Sequence, residues 1–333
     1  MNPLPLYPLR FEPIYQYRPW GGRRLASLLS APMPEGPVGE AWVLSDRDEH
    51  PSVIASGPLK GRTIAQLLEA FPQQMLGKLA GRFSRFPLLL KFLDVRERLS
   101  VQVHPSDHQT KYLPAGERGK TEAWVVLEAG PQSRVYAGLR PATTAEELRR
   151  AVAGGTVADL LASFTPQTDD GVFVRAGTVH SLSDVVVFEV QENSDVTFRL
   201  YDWDRIDAKT GRGRALQVDQ AMACMNLPQG AVSSVVPVVE ALEPVKRERL
   251  FLAEEFGLWR IRGALPFRIG ARDTARVLVC IAGNGWLEHE GNHYPFARGD
   301  VLLLPSVVGE CLCEMRHDAT LLEISLPEKG TTS

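Results

Sequence analysis

Short runs of β-branched and apolar residues recur along the chain, and glycine, proline or aspartate interrupts them every few residues. Val, Ile and aromatic residues favour extended backbone, whereas the interrupting residues favour turns. Up to residue 203 the runs are AWVLSD, PLLLKFLDV, LSVQVHP, EAWVVLEA, RVYAGL, GVFVRAG, VVVFEVQ and VTFRLYDW. This spacing predicts a mainly β core built as a β-sandwich.

Two longer stretches, residues 62–83 and 143–164, have helical rather than strand character. In the second, Thr144 is a good N-cap residue, and Glu147 three positions later completes the capping-box pattern. We expect both stretches to be helical and to pack outside the sandwich as peripheral helices.

The chain changes character between residues 205 and 245, where turn-rich and basic segments surround one short helical pattern. Strand-like runs resume afterwards, among them LWRIRGAL, RVLVCIAG and VLLLPS, which predicts a second, smaller β-sandwich. With 333 residues, of which 44% are hydrophobic, the chain is long enough for two modest cores. We therefore predict one domain over residues 1–235 and a second over residues 236–333.

The overall charge excludes some partners. The 37 basic and 40 acidic residues give a net charge of -3, so a broad electrostatic footprint for nucleic acid is not expected. No apolar run approaches the roughly 18 residues of a membrane span, and MNPLPLYPLRFEP does not resemble a secretory signal. We expect a cytoplasmic protein that does not bind membranes and is a monomer or small homo-oligomer.

Four cysteines are too few and too close to the C-terminus for a disulfide framework, so reduced thiols are expected. Cys311 and Cys313 suit packing better than metal binding because two thiols without a further cysteine nearby are weak evidence for a metal site. His289 and His293 flank a turn-like segment, which favours structural or surface roles and a second domain without metal.

Four polar residues from three strand-like segments suit one metal site. In LSVQVHP, Gln102 and His104 are two positions apart and share one face of a strand. Glu122 in GKTEAW and His180 in AGTVHSL supply a carboxylate and a second imidazole. Two imidazoles, a carboxylate and an amide oxygen suit zinc or a similar divalent ion. Taken singly, each is more often a hydrogen-bonded core or rim residue than a ligand.

These segments resemble a known family, the short bacterial form of the type I mannose-6-phosphate isomerases, which are zinc-dependent cupins. The resemblance runs in order through RPWGGRRLASLL, VGEAWVLSD, PLLLKFLDVRERLSVQVHPSD, GKTEAWVVLEA, AGTVHSL and FEVQENSDVTFRLYDWDR. It implies two cupin-like β-sandwiches, or jelly rolls, and interconversion of mannose 6-phosphate and fructose 6-phosphate. The C-terminal third carries no sharp motif.

The resemblance also implies which residues act. It assigns one zinc ion per chain to Gln102, His104, Glu122 and His180, a substrate-facing carboxylate to Glu189 and an essential arginine to Arg199. The chain departs from the family pattern at four positions. These are Arg175 where proline is frequent, Ser106 where a second aspartate is frequent, Val125 where an aromatic residue is frequent, and Leu182 where the longer members have a substrate-contacting tyrosine.

Isomerisation requires a residue that moves a proton between adjacent carbons. Glu189 is one candidate because its apolar neighbours in VVVFEVQ would raise its pKa, and its alternative role is to order a metal ligand. Lys120 is the other candidate because it shares a strand face with Glu122, and a nearby cation would lower its pKa. The sequence does not choose between them.

Three further side chains are assigned to the substrate. Arg199 suits phosphate or enediolate oxygens, although an ion pair with Asp202 or Asp204 explains it equally well. Lys91, a charge inside the apolar run LLLKFLD, suits substrate binding in a polar cavity. Ser100 has the strand parity of Gln102 and suits the same pocket, or is a satisfied strand hydroxyl.

Two alternatives to the leading function stay open. One is an isomerase for a related sugar or sugar phosphate, since one motif set could serve several aldoses. The other is a sugar-sensing or metal-binding cupin without turnover, an idea that Leu182 and Arg175 motivate. Retention of Glu189 and Arg199 beside four intact ligand types favours the enzyme.

Overall fold

The structure of the protein is a computed structural model and describes residues 6–207 and 211–327. The described chain is built mainly from antiparallel strands in two nine-stranded sheets and one two-stranded sheet. This confirms the prediction of a mainly β fold. The strands are β1 Leu9–Arg10, β2 Ile14–Gly22, β3 Val38–Leu44, β4 Asp46–Arg47, β5 His50–Pro51, β6 Leu88–Val95, β7 Val101–Val103, β8 Glu122–Leu139, β9 Leu161–Phe164, β10 Gly171–Val174, β11 His180–Glu192, β12 Phe198–Tyr201, β13 Val238–Ala241, β14 Lys246–Leu252, β15 Gly257–Gly263, β16 Phe267–Gly270, β17 Arg276–His289, β18 Asn292–Ala297, β19 Val301–Leu304 and β20 Glu310–Ser325. The α-helices are α1 Ile64–Ala70, α2 Pro72–Leu76, α3 Ala145–Ala153 and α4 Val218–Cys224, and 3-10 turns cover Arg24–Ser27, Gly77–Leu79, Thr110–Tyr112, Val157–Leu160 and Leu227–Gln229.

Six of the nine residues predicted to be functional lie on strands of the first sheet, and the other three lie within two residues of its strand ends. Its main order is β10-β8-β11-β6-β2-β3, with β9 paired to β8 and the short strand β7 paired to both β11 and β12. The register places His180 and Arg199 opposite Gln102 on either side of β7. It also places Glu189 of β11 opposite Lys91 of β6. Segments far apart in sequence therefore meet at fixed cross-strand positions.

The second sheet has the order β1-β19-β17-β20-β15-β14-β13, with β16 and β18 at its side. All its strands but one come from residues after 237. The exception is β1 near the N-terminus, where Leu9 pairs with Leu303 and Arg10 with Leu302. The start of the chain thus crosses to the sheet that the C-terminal residues form.

A single cluster of buried apolar side chains joins the two sheets. Phe92 and Phe188 of the first sheet belong to the same cluster as Phe256 of the second. Phe173 on β10 reaches across the interface, with its ring centroid 5.5 Å from that of Phe251 and 6.1 Å from that of Phe256. The second sheet therefore covers an apolar face of the first and keeps it out of water.

The predicted helices are shorter than expected. Thr144 and Glu147 form the predicted capping box at the start of α3. The helix ends at Ala153, before a glycine pair whose second member has a φ of +69°. The extension to residue 164 was wrong, because residues 161–164 form strand β9, in which Phe164 pairs with Val135 of β8.

The first predicted helical stretch, residues 62–83, is also divided. Helix α1 begins after Thr63, which makes a second capping box with Gln66 that the sequence analysis did not identify. A proline begins α2, and Gly77 follows it with a φ of +60°, a conformation that glycine adopts without strain. Residues 81–83 are not helical.

Removal of the Phe256 ring should test the shared core. The side chain is fully buried between the sheets, so Phe256→Ala should lower the free energy of unfolding by about 3–5 kcal/mol in urea titrations. Val236→Ala is the matched control because Val236 is 88% exposed, and its effect should stay within about 0.5 kcal/mol. Equal effects of the two substitutions would contradict the shared core.

Candidate metal centre and active-site cleft

Two buried histidines are held in a defined orientation. His104 Nδ1 lies 2.9 Å from the carbonyl oxygen of Val196, and His180 Nδ1 lies 2.9 Å from that of Thr178. A carbonyl oxygen only accepts, so each Nδ1 carries the proton and donates it, which leaves a lone pair on each Nε2, and the Nε2 of His104 lies 3.3 Å from Lys120 Nζ. Burial, and then the charge of Lys120, lower the pKa of His104 to about 3, and burial lowers that of His180. Both rings are therefore neutral at ordinary pH.

Glu122 lies between the two imidazoles. Its Oε1 is 3.2 Å from His180 Nε2, and its Oε2 is 3.4 Å from His104 Nε2. Both oxygens are buried and accept no hydrogen bond of good geometry, although Lys120 Nζ lies 2.8 Å from Oε2 as an ion pair. Ligand atoms of His104, Glu122 and His180 lie within 4.8 Å of one another, and this is the one such group among the described residues. A buried carboxylate without hydrogen bonds beside two imidazole lone pairs fits a divalent metal ion.

The amide of Gln102 completes the group on the side of His180. Its Nε2 lies 3.1 Å from His180 Nε2, and its Oε1 lies 3.4 Å from Ser100 Oγ. In this orientation the amide nitrogen, which has no lone pair for a metal, faces the imidazole. Gln102 would join the ligands only with its amide turned over, so that Oε1 faces inward.

Lys120 is charged rather than poised to accept a proton. Burial by itself would lower its pKa, but the carboxylates of Glu122 and Glu189 outweigh burial and raise it. In turn, burial would raise the pKa of Glu122, but Lys120, His104 and His180 hold it well below its usual range. Two buried carboxylates beside the ammonium group therefore favour its charged form, and the lowering of the Lys120 pKa by a metal cation stays a prediction.

Thr121, between Lys120 and Glu122, is fixed from several sides. Its backbone N–H donates to Glu192 Oε2 at 2.8 Å, and its hydroxyl donates to Glu255 Oε1 at 3.1 Å. Glu255 belongs to the turn between β14 and β15 of the second sheet. The C-terminal part of the chain therefore contacts the side chain of the residue that precedes Glu122.

Above the metal group lies a cleft of about 460 Å³. Six of the nine predicted site residues line it, and His104, Glu122 and His180 lie buried at its base through their contacts with Gln102 and Lys120. All nine predicted residues are therefore brought together. The residues that line the cleft are Tyr17, Arg18, Pro19, Trp20, Glu40, Lys91, Leu93, Leu99, Ser100, Gln102, Lys120, Glu189, Asp195, Thr197, Arg199, Asp207 and Arg214.

Lys91 and Glu189 form the centre of an ionic network in the cleft. Lys91 Nζ lies 3.7 Å from Glu189 Oε1, 3.6 Å from Glu40 Oε2 and 3.7 Å from Asp195 Oδ1. Glu189 Oε2 accepts a 2.8 Å hydrogen bond from Trp124 Nε1. Burial and the nearby Glu122 charge raise the pKa of Glu189, in the direction that the sequence predicts. Glu189 is thus a buried carboxyl group whose affinity for a proton is increased.

Arg199 lines the cleft without a carboxylate partner. Its Nη1 donates to the carbonyl oxygen of Ala215 at 3.1 Å, while its Nε is buried and has no hydrogen-bond partner. Asp202 instead forms an ion pair with Arg214, and Asp204 accepts from Tyr201. Neither ion pair considered for Arg199 forms, so its charge faces the cleft.

Five charged residues of the cleft were not predicted from the sequence: Arg18, Glu40, Asp195, Asp207 and Arg214. Arg18 donates to Glu40 at 2.8 Å, and both stand in segments that carried the family resemblance, so their motifs were a usable signal. Asp195 approaches Lys91 from the loop between β11 and β12. Arg214 comes from the turn-rich segment after residue 205, which has no periodicity to indicate where its side chains lie.

None of the four departures from the family pattern lines the cleft. Leu182 is fully buried in an apolar cluster with Trp20 and Trp124, and Val125 is buried in the cluster that joins the sheets. Arg175 is exposed, with its guanidinium 5.2 Å from the ring centroid of Phe173.

Comparisons with known proteins agree with this geometry. A family model described as the catalytic domain of type I phosphomannose isomerase matches residues 9–122. The mannose-6-phosphate isomerase ManA of Bacillus subtilis is 34% identical over 306 residues, which are 91% of this chain and 94% of that protein. The chain belongs to the type I phosphomannose isomerase family. The mannose-6-phosphate isomerase of Streptococcus mutans is 32% identical over 87% of this chain and 89% of its own length.

The family fold is also seen in solved structures. The crystal structure of the mannose 6-phosphate isomerase from Bacillus subtilis superimposes with a TM-score of 0.88 at 28% identity and covers 96% of this chain and 99% of that one. This phosphomannose isomerase family member is therefore an enzyme with the predicted cupin fold and few helices. Within the described residues, no helix is long and apolar enough to cross a membrane.

Metal uptake should depend on the buried histidines. Metal-free protein should take up a divalent ion in calorimetric titrations with zinc, and His104→Ala should abolish high-affinity uptake because it removes one of the converging lone pairs. His289→Ala is the control, since His289 lies at a hairpin outside the cleft and should leave uptake unchanged. Unaltered zinc affinity in His104→Ala would remove this histidine from the ligand set.

Glu192 should make stability depend on pH. Burial raises its pKa from 4.5 to about 7, so the folded state holds the proton more tightly than the unfolded state does. The proton on Glu192 therefore contributes up to about 3 kcal/mol to the free energy of unfolding. This contribution is complete below pH 4.5 and is lost as the pH rises through about 7.

Glu192→Gln imitates the protonated carboxyl group, so this variant should not lose stability as the pH rises through about 7. Urea titrations between pH 4.5 and 8 in the presence of a chelator should show the variant gaining stability relative to the parent protein as the pH rises. Glu254→Gln, at an exposed position, is the control. Parallel curves for the parent protein and Glu192→Gln would contradict the raised pKa.

Proposed function

We propose that the protein interconverts mannose 6-phosphate and fructose 6-phosphate with one zinc ion per chain, through an enediolate of the sugar. The observation that supports this most is the buried Glu122 carboxylate, which lies between two imidazoles, has no hydrogen bond of good geometry and is paired with the Lys120 ammonium at the base of a charged cleft. The choice of a sugar phosphate as the substrate rests on the family relationship, since the relatives named above are mannose-6-phosphate isomerases.

Zinc suits the proposed ligands because it binds imidazole nitrogen and carboxylate oxygen readily. His104, Glu122 and His180 would hold it, with Gln102 as the fourth ligand once its amide is turned over. When bound, the ion would act as a Lewis acid that polarises the sugar oxygens beside the carbon that loses its proton. The base of the cleft is buried, so water would not compete effectively with the substrate there.

Glu189 is the proposed base that moves the proton between the two carbons. A base works best when its pKa is close to the ambient pH, and burial and the charge of Glu122 raise the pKa of Glu189. Trp124 Nε1 fixes one carboxylate oxygen, and Lys91 lies 3.7 Å from the other. Lys120, whose pKa is raised, would stay charged and stabilise negative charge on the substrate oxygens.

Arg199 is proposed to stabilise the enediolate, because its guanidinium stays charged, faces the cleft and has no carboxylate partner. Lys91 and Ser100 are proposed to bind substrate hydroxyl or phosphate oxygens from the same cleft. We further propose that residues 1–235 form the catalytic domain and that residues 236–333 form a supporting domain without metal. The Glu255 contact to Thr121 and the shared core favour that supporting role.

The first test is a coupled assay of purified protein with mannose 6-phosphate before and after chelation, followed by zinc restoration. Activity that is lost on chelation and returns with zinc supports the proposal. If other divalent ions restore activity and zinc does not, the choice of metal is wrong. If the zinc-loaded protein does not turn over mannose 6-phosphate, the substrate is wrong, and related sugar phosphates and unphosphorylated aldoses should be assayed next.

Arg199→Ala should separate metal binding from catalysis. The variant should retain its zinc by elemental analysis, while kcat with mannose 6-phosphate falls by about 10²–10³-fold, the usual effect of removing one charge-stabilising group. Arg98→Ala is the matched control because Arg98 is exposed and lies outside the cleft. A kcat within about twofold of the parent protein would exclude Arg199 from the chemistry.

A further inference from the structure

The hydroxyl group of Thr121 makes two hydrogen bonds in the interior of the protein. It donates to Glu255 Oε1 at 3.1 Å and accepts from the backbone N–H of Ala176 at 3.4 Å. Thr121 is 3% exposed, so its hydroxyl depends on partners within the protein. The residue stands between Lys120 and Glu122, the ion pair at the base of the cleft. One small side chain therefore links the start of β8 to two other parts of the fold.

The backbone turn that begins at Arg175 contacts both histidines of the metal group. A hydrogen bond of 3.0 Å from the Thr178 N–H to the Arg175 carbonyl oxygen closes the turn. Within it, the N–H of Gly177 donates to the carbonyl oxygen of His104 at 2.8 Å, and the carbonyl oxygen of Thr178 accepts from His180 Nδ1. This turn also contains the N–H group that the threonine hydroxyl binds. The hydroxyl therefore holds the turn against the strand that carries the carboxylate of the metal group.

The second sheet supplies the other partner of the hydroxyl. Glu255 lies in the turn between β14 and β15, where the N–H of Ala253 donates to the carbonyl oxygen of Phe256 at 3.0 Å. The Phe256 ring is fully buried in the core that the two sheets share. The second carboxylate oxygen of Glu255 is buried and has no hydrogen-bond partner among the described residues. The contact with Thr121 therefore joins the shared core to the metal group.

We propose that Glu255 and Thr121 are positioning residues of the metal site, through which the second sheet sets the affinity for zinc. This inference rests on the proposed function, in which His104, Glu122 and His180 hold the ion. Ligands from three separate segments bind a metal ion tightly only if their separations are fixed before it arrives. The contact between Glu255 and Thr121 fixes the strand of one ligand against the turn that contacts the other two. Groups that orient ligands in this way typically change metal affinity by about 10–100-fold.

Removal of the Thr121 hydroxyl provides the first test. Thr121→Val keeps nearly the same shape without the hydrogen bonds, and it should weaken zinc binding by about 10–100-fold in competition titrations with a chelator. KM for mannose 6-phosphate should stay within about twofold of the parent value at saturating zinc, because Thr121 does not line the cleft. Thr121→Ser keeps the hydroxyl and should restore most of the zinc affinity.

Substitutions of Glu255 separate the effect of position from that of charge. Glu255→Ala removes the acceptor and should weaken zinc binding by about 10-fold. Glu255→Gln removes the charge but keeps an oxygen that accepts from Thr121, so it should retain most of the zinc affinity. The double variant Thr121→Val/Glu255→Ala should bind zinc as weakly as Thr121→Val alone, because both substitutions break one contact. Glu254→Ala is the matched control, since Glu254 is the exposed neighbour in the same turn and should leave zinc affinity unchanged.

The outcomes separate this inference from the proposed function. Unchanged zinc affinity in folded Thr121→Val and Glu255→Ala would overturn the inference, as would losses that add in the double variant. Equal losses in Glu255→Gln and Glu255→Ala would assign the effect to charge rather than to position, which also overturns it. If Thr121→Val fails to fold, the Glu255 variants carry the test, because Glu255 lies in a turn and is only partly buried. A parent protein that binds zinc without turning over mannose 6-phosphate would reject the proposed function and leave zinc affinity as the readout.

Discussion

The burial of the Glu122 carboxylate is the constraint on which the site depends. An ionised carboxyl group out of water is unfavourable by several kcal/mol unless positive charge or a metal ion compensates for it. Here an ammonium group lies 2.8 Å away, and two neutral imidazoles present their lone pairs to the same region. The part of the Glu122 charge that these groups do not neutralise favours the binding of a cation.

The backbone around this carboxylate is correspondingly restrained. Thr121 is hydrogen-bonded by Glu192 from the first sheet and by Glu255 from the second. The imidazoles are oriented by carbonyl groups of Val196 and Thr178, so the direction of each lone pair is set by the main chain. The second sheet thereby contributes to the site without lining the cleft, through its contact with Thr121 and through the apolar core that the two sheets share.

Charge is divided along the cleft in a way that suits the proposed chemistry. Carboxylates collect around Lys91 and Lys120, where proton transfer requires an acid and a base with shifted proton affinities. Arg199 and Arg214 line the same cleft, and Arg199 has no carboxylate within ion-pair distance among the described residues. The two regions meet at strand β7, whose residue Gln102 is paired with His180 on one side and Arg199 on the other. One short strand thus connects the metal group to the arginine region.

Much of this arrangement could be predicted from local patterns. Alternation in LSVQVHP indicates that Gln102 and His104 share a strand face, and the capping box at Thr144 and Glu147 correctly marks the start of a helix. The ends of the helices were predicted less well, because whether residues 161–164 continue a helix or pair with β8 depends on a strand that lies far away in sequence. The direction of the Lys120 pKa shift depends on Glu122 and on Glu189, which is a neighbour only in the folded chain.

The sequence by itself determined the mainly β fold, the family and nine side chains that the fold brings together, because strand periodicity and motif order are local properties. Only the tertiary structure decided which charges face each other. Arg214 enters the cleft from a segment without periodicity, Asp202 pairs with Arg214 rather than with Arg199, and Leu9–Arg10 joins the sheet of the C-terminal residues. Electrostatic energies depend on distance and burial in three dimensions, and no local pattern in the chain specifies either quantity.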